Sequence, residues 1–187
     1  MKSAFLSLSL FAAMAAPLVA QAQQALVPAQ SEIAFVSRQM GVPVEGKFKS
    51  FSAQVAFDPA QLASSRIAFT VDTGSADISR EANAELPKPT WFNVAAFPQA
   101  TFTSSSIKRV DATRYEVAGK LAIKGVSSDV VVPVTLAQNG ATTVASGAFP
   151  IKRLTFRIGE KEWADTSMVA DEVQVKFRIA LTGVPKL

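Results

Sequence analysis

The sequence predicts an all-β protein, built as an antiparallel sandwich or an eight-stranded barrel with one or two short helices. Apolar and polar residues alternate with a period of two along most of the chain, as they do in half-buried strands. Turn residues separate these segments at hairpin spacing, and Asn139-Gly140 is the strongest signal of this kind. Because no repeat or linker interrupts the pattern, we expect one domain over residues 23–187.

The alternating segments define the strands. The clearest is residues 172–182, where every second residue is a large apolar one. The other predicted strands are residues 31–37, 48–57, 66–72, 100–107, 115–123, 130–136, 142–149 and 151–158. Residues 40–46 contain glycines and a proline, so they predict a bent or bulged connection instead of a strand.

Residues 79–86 are the one stretch with helical character. Ser79 is a candidate N-cap, and Pro87 ends the segment. Glu81 and Glu85 lie one helical turn apart, a spacing that suits an acid–base pair or two metal ligands. Such a pair more often forms a solvated face beside cations, here Arg80 and Lys88.

Composition excludes several kinds of chemistry. The chain contains no histidine and no cysteine, which rules out Ser-His-Asp and Cys-His pairs and any imidazole or thiolate metal site. Its net charge of +4 is spread along the chain, so no dense basic stripe indicates nucleic acid as a partner. The acidic residues between 160 and 172 leave two functions open, a cation site and a second carboxylate pair.

Residues 1–22 have the pattern of a signal peptide. Lys2 precedes an apolar run that is too short to span a bilayer comfortably, and Ala20-Gln21-Ala22 offers small residues at a cleavage site. We therefore expect removal of residues 1–22, export, and a periplasmic protein that starts at Gln23.

The alternation stops between residues 86 and 104. Three prolines punctuate this segment, and Trp91, Phe92 and Phe97 crowd together within it. A proline-bounded aromatic segment of this kind is a candidate lid or pocket wall, and equally a cap on the hydrophobic core.

The positions of the phenylalanines are compatible with two interpretations of the interior. Most of the thirteen in the chain fall at positions that the alternation turns inward. They either fill the core or line a tunnel for an apolar chain, with small inward residues such as Ala53, Ala100 and Gly119 leaving the room. The period of the pattern does not separate these two interpretations.

Several motifs in order resemble the YceI family of exported bacterial proteins. The resemblance covers residues 31–184. It is carried by Gly46-Lys47-Phe48, the segment from Val55 to Pro59, Trp91-Phe92-Asn93-Val94-Ala95, the segment from Phe97 to Ser104, and the segment from Gly119 to Val126. The tail motifs Glu162-Trp163-Ala164-Asp165 and Asp171-Glu172-Val173 look like the branch associated with cytochrome b561-type membrane proteins.

The resemblance implies a lipocalin-like antiparallel β-barrel that holds an isoprenoid-type lipid, either a polyprenyl or a quinone-type one, with no cofactor and no catalysis. The candidate ligand-binding residues are Phe35, Phe51, Phe57, Phe69, Trp91, Phe92, Phe97 and Phe102, with Trp91 and Phe97 near a gate. Many family members carry a histidine in the helix region, but residues 80–86 have none here. This departure favours a neutral quinone ring over a pyrophosphate head.

Two other classes of function stay open at this point. One is an exported interaction protein with a filled barrel whose partner is a membrane, a cytochrome b561-type protein or a second copy in a homodimer. The other is an enzyme that uses Glu81 and Glu85 or the acidic loop. An internal void distinguishes the lipid carrier from the filled barrel.

Overall fold

The computed structural model describes residues 23–187, so the predicted signal peptide, residues 1–22, lies outside the described residues. Eleven strands and one α-helix form in this part of the chain. The strands are β1 (Ala25–Leu26), β2 (Glu32–Gln39), β3 (Val42–Phe48), β4 (Phe51–Ala56), β5 (Arg66–Asp72), β6 (Ala76–Asp77), β7 (Gln99–Arg109), β8 (Arg114–Ile123), β9 (Val126–Asn139), β10 (Thr142–Lys152) and β11 (Glu172–Thr182), and the helix is α1 (Arg80–Glu85).

The strands form one curled antiparallel sheet. Its order is β4-β5-β7-β8-β9-β10-β11-β2-β3-β6, and β1 pairs with β11 beside that path. The prediction of an all-β antiparallel barrel with a short helix is confirmed. The predicted count of eight strands is too low: β1 and β6 are strands of two residues each, and β3 forms where the sequence predicts a connection.

Residues 40–46 are the main correction to the predicted strands. Met40 and Gly41 form a tight turn at positive φ, and β3 then pairs with β2 along its whole length. Pro43 is tolerated because, within the described part, β3 meets its other neighbour β6 at Lys47 and Phe48 alone. Pro43 therefore lies on a free edge, where no donor is required.

Residues 151–158 are a second correction. The strand β10 ends at Lys152, and residues Arg153–Phe156 form a 3-10 helix instead of continuing the sheet.

The helix prediction is confirmed: α1 begins after Ser79, whose hydroxyl accepts a hydrogen bond from the Ala82 amide.

Three inward glycines are covered by phenylalanine rings. A β-carbon placed on Gly46 would lie 2.4 Å from the Phe35 ring, one on Gly119 would lie 2.6 Å from Phe102, and one on Gly147 would lie 2.6 Å from Phe177. These pairs let the sheet curl tightly while the rings fill the space above the glycines. The expectation that Gly119 leaves room for a ligand is therefore wrong, since Phe102 occupies that space.

Two hydrophobic clusters lie in the interior, one towards each end of the barrel. We call the end that carries Gln24 and residues 183–187 the termini end, and the end that carries the Lys124-Gly125 turn and residues 153–171 the cap end. The larger cluster extends to the termini end. The smaller one, here called the cap cluster, consists of Ala76, Leu86, Phe92, Ala100, Ile123, Phe156 and Ile158. Among the described residues, no helix has the length and apolarity needed to cross a membrane.

Candidate functional site

An apolar cavity of about 170 Å³ lies inside the barrel. Its wall is made by inward side chains from both halves of the sheet. They include the aliphatic residues Ile33, Val55, Ile67, Val117, Leu121, Val132, Ile179 and Leu181. The size exceeds the roughly 150 Å³ of an engineered apolar cavity that stays dry and binds benzene. The interior is therefore not completely filled, and its free space suits hydrocarbon.

Three of the eight predicted ligand-binding residues border this cavity. Phe57 lines it from the position directly after β4, Phe69 from β5 and Phe102 from β7. The alternation placed them inward correctly, and the register Phe69 to Phe102 sets two of the rings side by side across neighbouring strands. Their contact with a ligand stays a prediction.

Two further predicted residues, Phe35 and Phe51, lie in the sheet but do not border the cavity. The Phe35 ring packs against Phe48, with ring centroids 5.3 Å apart, and it borders a groove on the outer face of β2 and β3. Phe51 is half-buried against the larger hydrophobic cluster. The structure thus brings neither ring to the surface of the cavity.

The last three predicted residues belong to the aromatic segment at the cap end. Phe92 is buried in the cap cluster, and Trp91 packs against it. The Trp91 ring lies 5.4 Å from that of Trp163, centroid to centroid. Phe97 covers Gly125, because a β-carbon there would lie 2.8 Å from its ring. The sequence predicts this segment to be either a lid or pocket wall, or a cap on the hydrophobic core. Its packing is that of a cap.

Trp91 and Tyr115 each bury a donor that is left without a partner. Among residues 23–187, neither the Trp91 indole N–H nor the Tyr115 hydroxyl makes a hydrogen bond. Tyr115 is 2% exposed, lines the cavity, and packs edge-on against Phe57 at 5.4 Å. A buried polar group without a hydrogen-bond partner lowers the free energy of unfolding. The Trp91 N–H and the Tyr115 hydroxyl are therefore two buried donors whose hydrogen-bonding capacity is not used within the described chain.

Arg153 is the residue that sequence reasoning missed most clearly. Its guanidinium is buried and donates five hydrogen bonds to the backbone carbonyls of Ile158, Gly159, Trp163, Val169 and Ala170, at 2.7–3.0 Å. Burial lowers the pKa of this guanidinium from its ordinary value, with the nearby Asp171 carboxylate opposing that shift. Adjacent Lys152 and Arg153 in the sequence indicated ordinary surface charge, and no local signal distinguished the buried one.

The Arg153 guanidinium organises the loop that closes the cap end. Because all five of its donors bind carbonyls in residues 158–170, the loop folds around the side chain, and its one regular element is a short 3-10 helix at Lys161–Trp163. Gly159 packs directly against it, since a β-carbon there would lie 2.4 Å from the guanidinium. At the cap end the five guanidinium donors of Arg153 are therefore all satisfied by backbone carbonyls of the loop.

Two acidic residues of the same loop, Glu160 and Asp165, already have partners. Glu160 accepts a hydrogen bond at 3.0 Å from the ammonium of Lys124, which also donates to the Arg157 carbonyl. That ammonium lowers the pKa of the Glu160 carboxyl. Asp165 accepts from the amide and hydroxyl of Ser167, and these bonds lower its pKa as well.

Neither candidate carboxylate site brings its members together as a pocket. Glu81 accepts from Ser79 and Glu85 pairs with Lys88, and all of these side chains are exposed. In the part of the chain that the structure describes, no three acidic, histidine or cysteine residues gather as metal ligands. The geometry here is that of a solvated helix face.

Comparison with known proteins agrees with the fold. A model of the YceI-like domain matches residues 25–181. The protein YceI of Salmonella arizonae is 33% identical over 96 residues, which are 51% of this chain and 50% of that relative. The chain thus matches about half the length of these curated relatives.

Solved structures share the same barrel. BcnA of Burkholderia cenocepacia is 49% identical, with a TM-score of 0.80 over 83% of this chain and 98% of that one. A polyisoprenoid binding domain from Saccharophagus degradans is 14% identical, with a TM-score of 0.70 over 86% of this chain and 98% of that one. The second likeness shows the fold alone. With a family model that covers most of the chain, the protein belongs to the YceI-like domain family.

Proposed function

We propose that this protein is an exported lipid-binding barrel that encloses the isoprenoid tail of a polyprenyl or quinone-type lipid. The observation that carries the proposal is the apolar cavity inside the barrel. Membership in the YceI-like family supports it, as does the shared fold of a polyisoprenoid binding domain. The function is binding, without a resident cofactor and without catalysis.

The physical basis of binding is the transfer of hydrocarbon out of water. Each buried methylene contributes about 0.8 kcal/mol, so one five-carbon isoprene unit contributes about 4 kcal/mol. A wall made of carbon atoms supplies this energy without specific polar contacts. The ligand's affinity then depends on how many isoprene units the barrel admits.

The size of the cavity sets a condition on this function. About 170 Å³ holds roughly one ring-sized group, which is less than a long isoprenoid tail needs. Loading therefore requires the rings that border the cavity to move. Phenylalanine side chains at Phe57, Phe69, Phe102, Phe149 and Phe177 supply that adjustable volume. We expect the loaded barrel to differ from the empty one in these rotamers.

The proposed setting is the periplasm, where a soluble barrel would carry or store a lipid that water does not dissolve. This role rests on the export signal predicted from residues 1–22. The partner that delivers or accepts the lipid is a membrane or a membrane protein of the cytochrome b561 type.

The test is native mass spectrometry of the mature protein purified from its own periplasm without detergent, followed by extraction of the ligand. We expect a stoichiometric adduct whose mass series has isoprene spacing. A ligand-free mass that persists after incubation with polyprenyl lipids and quinones would contradict the proposal and favour an interaction protein.

Two variants of one strand sharpen this test. Ala145 faces the cavity from β10, whereas Ala148 on the same strand is exposed. We expect Ala145→Phe to abolish the adduct by filling the cavity, at a stability cost of about 1–3 kcal/mol. Ala148→Phe is the matched control and should retain the adduct. Equal retention by both variants would show that the ligand lies outside the barrel.

A further inference from the structure

We propose that the lipid enters the barrel at the termini end, through a gate formed by Phe57 and Val184, and that its polar head stays in the cleft outside that gate. This inference rests on the proposed function and adds to it a route and a head-group site. It departs from the sequence-based expectation that the gate lies at the aromatic segment with Trp91 and Phe97.

The position of the cavity is the first observation. Most of its wall comes from the termini end and the middle of the barrel, including Phe57, Tyr115, Leu136, Leu181 and Val184. The space towards the cap end is taken by the cap cluster. A ligand that reaches the cavity therefore has a shorter path from the termini end.

A cleft at the termini end is the second observation. It has a volume of about 560 Å³ and lies against the ends of β4 and β11. Phe57 and Val184 line both this cleft and the internal cavity. Two side chains are thus the shared wall between bulk solvent and the apolar interior.

The way the gate is held shut is the third observation. The Gln24 side chain donates to the Phe57 carbonyl at 2.7 Å and accepts from the Phe57 amide at 3.0 Å. The Gln24 side chain thus makes the two hydrogen bonds that a neighbouring strand would make at the end of β4. The other side of the gate is held by Gln138, which donates to the Val184 carbonyl at 3.3 Å and accepts from the Leu187 amide at 3.2 Å.

Each side of the gate is thus held by one glutamine side chain, although Gln138 also donates to the Pro185 carbonyl at 3.3 Å and to the Thr143 hydroxyl at 3.1 Å. A short segment held by a few polar side-chain contacts opens at a small fraction of the global unfolding free energy. The cap end is held differently, by the five hydrogen bonds of the buried Arg153 guanidinium together with a packed aromatic cluster. The termini end is accordingly the end that opens first.

The chemistry of the cleft defines the head group that it accepts. Its polar lining comes from Gln24, Asp58, Gln61, Ser64 and Ser65, and the described residues that line it include no lysine or arginine. Arg66 and Arg109 lie beside the cleft, but their guanidiniums donate to the carbonyls of Ser65 and Pro59 at 2.7 and 2.9 Å. Asp58 is therefore the one charged side chain among the described residues of this lining, and its carboxylate disfavours a phosphate or pyrophosphate. The side-chain amides and hydroxyls instead suit a neutral head that carries carbonyl or hydroxyl oxygens.

The absence of cysteine in the sequence permits a direct test with disulfide locks. Ala25 and Thr182 are facing partners in the β1–β11 pair at the termini end, and Gln39 and Val169 are facing partners at the cap end. Facing residues of antiparallel pairs have Cα atoms about 4.5–5.5 Å apart, a distance that a disulfide spans. Each double-cysteine variant is its own control, because reduction reopens the lock.

The measurement is the association rate of a short-tailed benzoquinone, by stopped-flow quenching of tryptophan fluorescence. We expect the oxidised Ala25→Cys/Thr182→Cys protein to load at least about tenfold more slowly than its reduced form. The oxidised Gln39→Cys/Val169→Cys protein should load at the rate of its reduced form. Gln24→Ala, which removes the side chain that holds one side of the gate, should accelerate both loading and release.

The outcomes separate this inference from the proposed function. If the reduced proteins bind the quinone but only the cap-end lock slows loading, the gate is at the cap end and the inference is wrong. If farnesyl pyrophosphate binds as tightly as farnesol, the head-group assignment to this cleft is wrong. If the reduced proteins bind neither the quinone nor farnesol, the proposed function itself fails, and the entrance fails with it.

Discussion

Replacement of Phe69 by alanine distinguishes a barrel with free interior space from a solid one. Phe69 borders the cavity, so part of its ring faces empty space instead of packed atoms. Phe156 is the matched control, because it is 2% exposed and packed inside the cap cluster. Both changes remove the same side chain from the interior.

The expected costs follow from the two parts of a cavity-forming substitution. Transfer of a phenylalanine side chain out of water contributes about 1.5–3 kcal/mol, and full packing raises the cost of Phe→Ala to about 3–5 kcal/mol. Phe156→Ala should show the full cost. Phe69→Ala should lose mainly the transfer part, about 1.5–3 kcal/mol, because the atoms that face the cavity have no packed partners to lose.

The assay is urea unfolding of the delipidated protein, followed by tryptophan fluorescence. A difference of about 1.5–2 kcal/mol separates the two unfolding midpoints by roughly 0.5–2 M urea for a domain of this size. Equal destabilisation by both variants would refute the reasoning, since it would mean that Phe69 is as tightly packed as Phe156. The same Phe69→Ala protein should also accept a bulkier tail, because its cavity is larger.

Four further outcomes are expected. Arg153→Met should lower the unfolding free energy by more than about 3 kcal/mol, because five buried carbonyls lose their donor; a loss below about 1 kcal/mol in chemical denaturation would contradict that role. Tyr115→Phe should be neutral or stabilising by up to about 1 kcal/mol, because the buried hydroxyl has no partner within the described chain, and a clear loss in the same assay would reveal one. Gly147→Ala should destabilise strongly, since its β-carbon would lie 2.1 Å from a backbone carbonyl of β9, and Ala148→Gly on the same strand serves as the tolerated control in thermal melts. The pairing with Lys124 holds the pKa of Glu160 below its ordinary value, so its stabilisation is present above the pKa of the unfolded chain and is lost as the pH falls through the lower folded-state pKa; Glu160→Gln should flatten this part of the acid-unfolding curve, and an unchanged curve would show that the pair contributes nothing.

The sequence determined the fold class and the direction of most side chains. In a strand, successive side chains point to opposite faces, so the alternation identified the inward residues of β7 to β11. The turn residues Asn139-Gly140 likewise identified the tight connection between β9 and β10. It also predicted the N-cap of α1, because that interaction lies within a few residues of the chain. Each of these features depends on residues that are close together in the sequence, so the sequence alone predicts it.

The tertiary structure alone decided how deep each inward residue lies and what opposes it. A period of two places Phe69 and Phe35 alike on the inner face, yet one borders the cavity and the other covers Gly46. The burial of Arg153 depends on carbonyls up to 17 residues away. The gate between Phe57 and Val184 joins residues that are distant in sequence. Contacts of this kind leave no periodic trace, because they arise when the sheet closes and sets remote segments side by side.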